Sequence, residues 1–170
     1  MDAFENHKLG ETGEKIHIDT AEQHRLAVAK MAQQARVHID VISRDLEPLV
    51  YDTVEFIEAL KRLVLGNRRA RVRIITFEPQ AIVTRGHRLL ELAGSLSSFF
   101  DLRRAGQEHK DYDGSLFIAD ALGYIKRSSA ERYEGTLNFN DPRESRILLA
   151  EFEEMWGKAG PDPNFRKFMI

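Results

Sequence analysis

The sequence predicts an α/β fold built as a single domain. Three observations predict it: strand-type alternation and helix-type stripes succeed one another, helix starts carry capping-box spacing, and two apolar runs flank a short gap as a hairpin does. A chain of 170 residues lies in the single-domain range and buries most of its apolar surface.

Residues 1–19 read as a polar N-terminal segment, 20–160 as the domain and 161–170 as a C-terminal tail. A first helix starts at Thr20, with Gln23 as its box partner and Val28, Met31, Ala32 and Ala35 as its apolar stripe. Arg36 to Ser43 is the opening strand, with Val37, Ile39 and Val41 alternating against His38 and Asp40. A second helix follows, capped by Asp52 with Glu55, carrying Ile57, Leu60 and Val64 and stopped at Gly66. Arg71 to Phe77 is a strand, a helix carries Leu89, Leu90, Leu92 and Ala93, and Phe99 to Arg103 is a short strand. Gly106 to Gly114 is polar and reads as a loop. Ser115 to Asp120 and Gly123 to Ser128 form the hairpin, with its turn at Ala121 and Leu122. A last helix begins at Asp141, with Pro142 in its first position and Glu144 as box partner; Trp156 is expected to close the core.

Composition excludes several functions. With 27 acidic and 25 basic side chains the chain has no global field to recruit nucleic acid or an anionic membrane. Cysteine is absent, which removes disulfides, a thiol nucleophile and thiolate metal sites. The polar, acidic start is unlike a signal peptide and no apolar run reaches the roughly 20 residues of a membrane span, so a cytoplasmic address is expected.

The stretch from Asp113 to Ala130 resembles the phospholipase D superfamily, whose signature is His-x-Lys-x-x-x-x-Asp, followed after six residues by Gly-Ser-x-Asn on the next strand. With Asp120 on the motif aspartate, Asp113 stands at the histidine, Ser115 at the lysine, Arg127 at the glycine, Ser128 at the serine and Ala130 at the asparagine. The element order from about Arg36 to Trp156 is similar to that family's, including a closing helix with a Phe and a Trp at this separation. The resemblance implies a mixed sheet with helices on both faces. It also implies chemistry through a phosphohistidine, with paired motifs that a single-motif chain supplies by forming a homodimer. A phosphate-like anion is the ligand it implies.

Here the nucleophile is replaced by a carboxylate and the lysine by a hydroxyl. One unit charge about 4 Å from a phosphate oxygen is worth about 4 kcal/mol at an effective dielectric of 20, so the exchange disfavours a bound phosphate strongly. The leading expectation is therefore a non-catalytic binding or interaction module, without catalytic residue, cofactor or metal ligand. The ligand-binding candidates are Asp113, Ser115, Asp120, Arg127, Ser128, His87 and Arg103. Arg127, Lys126, Arg103 and Arg104 are expected near the cleft, in ion pairs with Asp113 or Asp120. One alternative is a divergent phosphodiesterase or nuclease using His87, His109 and Asp120. Another is a sensor of phosphate or nucleotide-type anions acting through Arg127 and its neighbours. His38 with Asp40 reads as a satisfied polar pair, Arg68, Arg69, Arg71 and Arg73 as a solvated turn, and His7, His17 and His24 as surface residues.

Overall fold

The computed structural model describes residues 3–166. In chain order the elements are β1 (Ile16–Ile18), α1 (Ala21–Gln34), β2 (His38–Ile42), α2 (Pro48–Tyr51), α3 (Val54–Gly66), β3 (Arg71–Thr76), α4 (Pro79–Arg85), α5 (Arg88–Ser95), β4 (Phe100–Arg104), β5 (Ser115–Ala119), β6 (Gly123–Arg127), β7 (Gly135–Asn138), α6 (Pro142–Lys158) and α7 (Pro163–Arg166). The strands form one seven-stranded sheet in the order β1-β7-β6-β5-β2-β3-β4. Pairing is parallel among β2, β3 and β4 and antiparallel elsewhere, so the sheet is mixed.

Side-chain alternation sends the two faces of the central strands β2, β3, β5 and β6 into separate cores. Ile39 and Val41 of β2, with Phe117 and Ala119 of β5, meet Val28 and Met31 of α1, Phe56 and Leu60 of α3 and Leu89 of α5. On the other face Ile42, Ile75, Leu116, Ile118 and Tyr124 meet Leu148, Phe152 and Met155 of α6. The central strands are apolar on both faces, which is why they read as nearly continuous hydrophobic runs.

Local chemistry explains most element boundaries. Thr20 accepts from the amide of Gln23 at 3.1 Å while the Gln23 side chain accepts from the Thr20 amide at 3.2 Å, completing the expected box. Asp141 accepts from the amide of Glu144 at 3.0 Å, and Pro142 opens α6. The start of α3 differs from expectation: Thr53 is its N-cap, because Asp52 ends α2 and instead binds the amide and guanidinium of Arg88.

The hairpin turn also lies one residue earlier than expected, at Asp120 and Ala121. Both have positive φ (55° and 54°), and the Leu122 amide closes the turn on the Ala119 carbonyl. That handedness suits the twist of a hairpin, and Asp tolerates it better than most side chains.

Described residues near both ends pack against the sheet and its cores. Phe4 is buried in the first core, β1 pairs with β7, Gly160 bridges Arg104 on the β4 edge, and Phe165 of α7 is buried. Residues 1–2 and 167–170 lie outside the described residues.

The closing helix is anchored by Phe152 rather than by Trp156. Phe152 is fully buried, whereas Trp156 stacks on it at 5.6 Å and is itself partly open, flanked by the Arg103 guanidinium 4.0 Å from its ring. In urea unfolding, Phe152→Ala is expected to cost about 3–5 kcal/mol. Trp156→Ala is expected to cost about 1–2 kcal/mol, since only part of its area leaves water. Equal losses at the two positions would contradict this assignment.

Candidate functional site

A cleft of about 560 Å³ opens beyond the carboxyl end of β2 and the start of β5. Arg44, Asp45, Glu47, Pro48 and Leu49 form one wall, and Asp113, Gly114, Ser115, Ala130, Glu131 and Tyr133 form another. Asp113 is exposed at its mouth, with its carboxylate 3.4 Å from the amide of Ala130. Ser115 is buried on its floor and stands opposite Arg127 in the β5–β6 register. The Tyr51 hydroxyl reaches toward Ser115 from below without a well-aligned hydrogen bond, and burial pushes it far above the usual phenol range.

Arg127 organises the base of this cleft while contributing no charge to its surface. Its side chain is 0% exposed and projects from the sheet face that carries α1 and α2. Nη1 donates to Glu47 at 2.6 Å and lies 3.3 Å from Nδ1 of His24; Nε donates to the Arg132 carbonyl at 2.8 Å and Nη2 to the Ala130 carbonyl at 2.7 Å. Its guanidinium lies 4.4 Å from the centre of the Tyr133 ring. Room for the stem comes from Gly135, its register partner on β7. A Cβ there would meet the Lys126 carbonyl and lie 3.0 Å from Cγ of Arg127.

His24 is buried in this cluster instead of lying at the surface. Burial, reinforced by the neighbouring guanidinium, pulls its imidazole down to about 3, so it is neutral and offers Nδ1 as an acceptor to Arg127. The sequence did contain a sign of this, because His24 lies one turn before Val28 on the apolar stripe of α1. Glu47 carried no such sign: it enters through the loop between β2 and α2, at no motif spacing.

The other expected site residues lie apart. Asp120 is at the far end of β5, where its carboxylate accepts from the amides of Arg36, Val37 and His38 at 2.8–2.9 Å and caps the start of β2. Arg127 is thus paired with Glu47, not with Asp113 or Asp120. Ser128 is exposed just past β6. Arg103 lies on β4, the far edge strand, on the face opposite Arg127, where it pairs with Asp101 at 3.2 Å and covers Trp156. Arg104 pairs with Asp162 at 3.8 Å, also away from the cleft.

His87 is buried. It caps α5 by accepting from the Leu89 amide at 3.1 Å through Nδ1, and its Nε2 donates to the Leu46 carbonyl at 3.0 Å. Burial lowers its affinity for a proton, consistent with that tautomer. Leu46 is a non-glycine residue with φ of 52°, so His87 pins a strained loop that presents Glu47. His109 lies in a 3-10 turn outside the cleft lining. Asp40 is buried and bound to Arg73 at 2.8 Å, and Arg73 also grips Glu153 of α6, while His38 is exposed. Burial pushes the Asp40 carboxyl up against the opposing pull of Arg73. Among the described residues no three His, Asp or Glu side chains gather as a metal ion requires.

The cleft lining is acidic. It holds Asp45, Glu47, Asp113 and Glu131 against the single cation Arg44, whose guanidinium donates to the Tyr112 carbonyl and faces the Phe77 ring. Asp45 is partly offset by Arg85 at 3.5 Å, and Glu47 by Arg127.

A family model described as "Domain of unknown function (DUF7931)" matches residues 20–168. The chain belongs to the DUF7931 family. A search of curated proteins finds no match.

Solved structures share the domain's fold. TrmBL2, described as an archaeal chromatin protein with a novel mode of DNA binding, superposes with a TM-score of 0.64 at 16% identity over 85% of this chain and 52% of its own. The DUF7931 chain thus spans about half the length of that protein. Nuc from Salmonella typhimurium, a phospholipase D family member, gives 0.59 at 13% identity over 86% of this chain and 96% of its own. NucT from Helicobacter pylori gives 0.59 at 12% identity over 88% and 99%. The domain therefore has the phospholipase D-like fold.

Two measurements test the Arg127 cluster. Arg127→Met leaves Glu47 without its cation and is expected to lower unfolding free energy by about 3–5 kcal/mol. The second concerns pH. A histidine whose folded pKa is depressed takes up its proton more readily when unfolded, so stability is complete above about pH 6.5 and declines as pH falls toward about 3. His24 accounts for about 2 kcal/mol of loss between pH 7 and 5, and His24→Gln is expected to flatten the urea-derived profile by that amount.

Proposed function

We propose that this DUF7931 domain is a non-catalytic phospholipase D-like module that works by binding, as a homodimer joined through the face bearing the cleft. The observation that carries the proposal is the charge of the cleft. A carboxylate stands at its mouth, a hydroxyl on its floor, and the one buried cation beneath it is consumed by Glu47, His24 and two carbonyls. Phosphoryl transfer through a covalent intermediate requires a nucleophile and cations that neutralise the non-bridging oxygens. An acidic lining opposes both the substrate and its transition state by several kcal/mol.

The same lining argues against an anion sensor acting through Arg127, whose donors are already occupied. A divergent phosphodiesterase built from His87, His109 and Asp120 is opposed by their separation. One caps α5, one lies in a loop turn and one caps β2. Homodimerisation is supported by Leu49, which is 65% exposed on the rim of the cleft beside Pro48.

Hydrolysis of bis(p-nitrophenyl) phosphate, with and without Mg²⁺ or Mn²⁺, is expected to stay at the buffer rate. Phosphate at 10 mM is expected to raise the melting temperature by less than about 1 °C. Light scattering is expected to give twice the 19.5 kDa chain mass, with Leu49→Arg returning it to monomer. Turnover that Asp113→Asn or His109→Ala abolishes would sink the non-catalytic reading. A wild-type monomer at 100 µM would sink the dimer.

A further inference from the structure

The near-zero net charge conceals an uneven distribution. At the cleft end three arginines are neutralised, Arg127 by Glu47, Arg85 by Asp45 and Arg88 by Asp52, while Arg44 is held by the Tyr112 carbonyl and the Phe77 ring. The opposite pole, where β2 and β3 begin, differs. Arg36 precedes β2, Arg62 lies in the last turns of α3, Arg68 and Arg69 form the turn into β3, and Arg71 opens that strand. All five are exposed.

Backbone contacts gather them on one surface. Arg36 and Arg62 wall the same concavity of about 380 Å³. Asn67 joins Arg36 to Arg69, donating to the carbonyl of the first at 2.8 Å and accepting from the amide of the second at 2.9 Å. The Arg71 guanidinium donates to the carbonyls of Arg68 and Ala70 at 3.2 and 2.7 Å. Among the described residues none of the five makes an ion pair, and the side chains of Arg68 and Arg69 make no hydrogen bond. The carboxylate beside Arg36, Asp120, is committed to three backbone amides.

The C-terminal ends of α1 and α3 face this pole and attract cations, but each offers only about half a charge and the effect fades within a turn. That accounts for Arg36 and Arg62. It leaves Arg68 and Arg69 with mutual repulsion and no structural return.

We infer that this pole docks the phosphodiester backbone of duplex nucleic acid, held by charge without base readout. Exposed guanidinium groups with free donors match phosphate oxygens in fork geometry, and a uniformly charged backbone needs no particular register with them. A membrane surface fits less well, because only Val37 and Leu65 are large exposed hydrophobics here. The surface lies at the other end of the sheet from the cleft, so the inference stands apart from what the cleft does.

The test is fluorescence anisotropy of a labelled 25-base-pair DNA duplex with the full chain between 50 and 200 mM KCl. Binding is expected at 50 mM, with log affinity falling against log salt at a slope of about −3 to −4.5, as for three to five phosphate contacts. Arg68→Glu combined with Arg69→Glu is expected to weaken binding at least tenfold at an unchanged melting temperature. Lys158→Glu, exposed at the far end of α6, is expected to leave it within twofold. Absence of binding at 50 mM, or wild-type affinity in the double variant, overturns the inference. So does tighter binding to phosphatidylserine vesicles than to the duplex.

Discussion

A guanidinium with no access to water must have its donors satisfied inside the protein, and Arg127 imposes that requirement on everything around it. Losing hydration costs a buried cation several kcal/mol even after relaxation, so an incomplete set of partners is not tolerated. The partners come from three places in the chain: His24 on α1, Glu47 ahead of α2, and the carbonyls of Ala130 and Arg132 in the loop after β6. One side chain thereby ties the helical layer to the hairpin and sets the outline of the cleft. His87 supports the same arrangement from outside by holding Leu46, and with it the loop that delivers Glu47.

The chemical consequence is an acidic cleft above a cation that is already paired. A cation that is fully paired beneath the floor cannot neutralise a ligand above it, while the surrounding carboxylates face the cleft. The domain has the phospholipase D-like fold, and its cleft at this end carries an acidic lining. At the far end the distribution reverses, because carboxylate and backbone pairing there is spent on Asp120 and the strand starts, leaving arginines unpaired in solvent.

The fold was largely legible because its signals are local. Thr20 with Gln23, Asp141 with Pro142, and the buried strands of the sheet each declare themselves within a few residues. Elements that were not legible depend on distant partners. β1 is three residues long and is defined by pairing with β7, and α4 is short enough that its pattern merges with its neighbours. The Asp52 cap failed for the same reason: an alternative partner, Arg88, lies 36 residues away.

The site divides along the same line. The sequence alone determined that an acid and a hydroxyl occupy positions 113 and 115, that the runs Ser115 to Asp120 and Gly123 to Ser128 form a hairpin, and that the sequence holds no cysteine. Only the tertiary structure decided which acid neutralises Arg127, that Arg103 belongs to the opposite face and far edge of the sheet, that His24 and His87 are buried acceptors, and that five arginines share a pole. The physical reason is range. Hydrogen-bonded turns and side-chain periodicity act over a few residues, whereas charge pairing and desolvation depend on distance through space, which is set once the sheet has brought remote segments together.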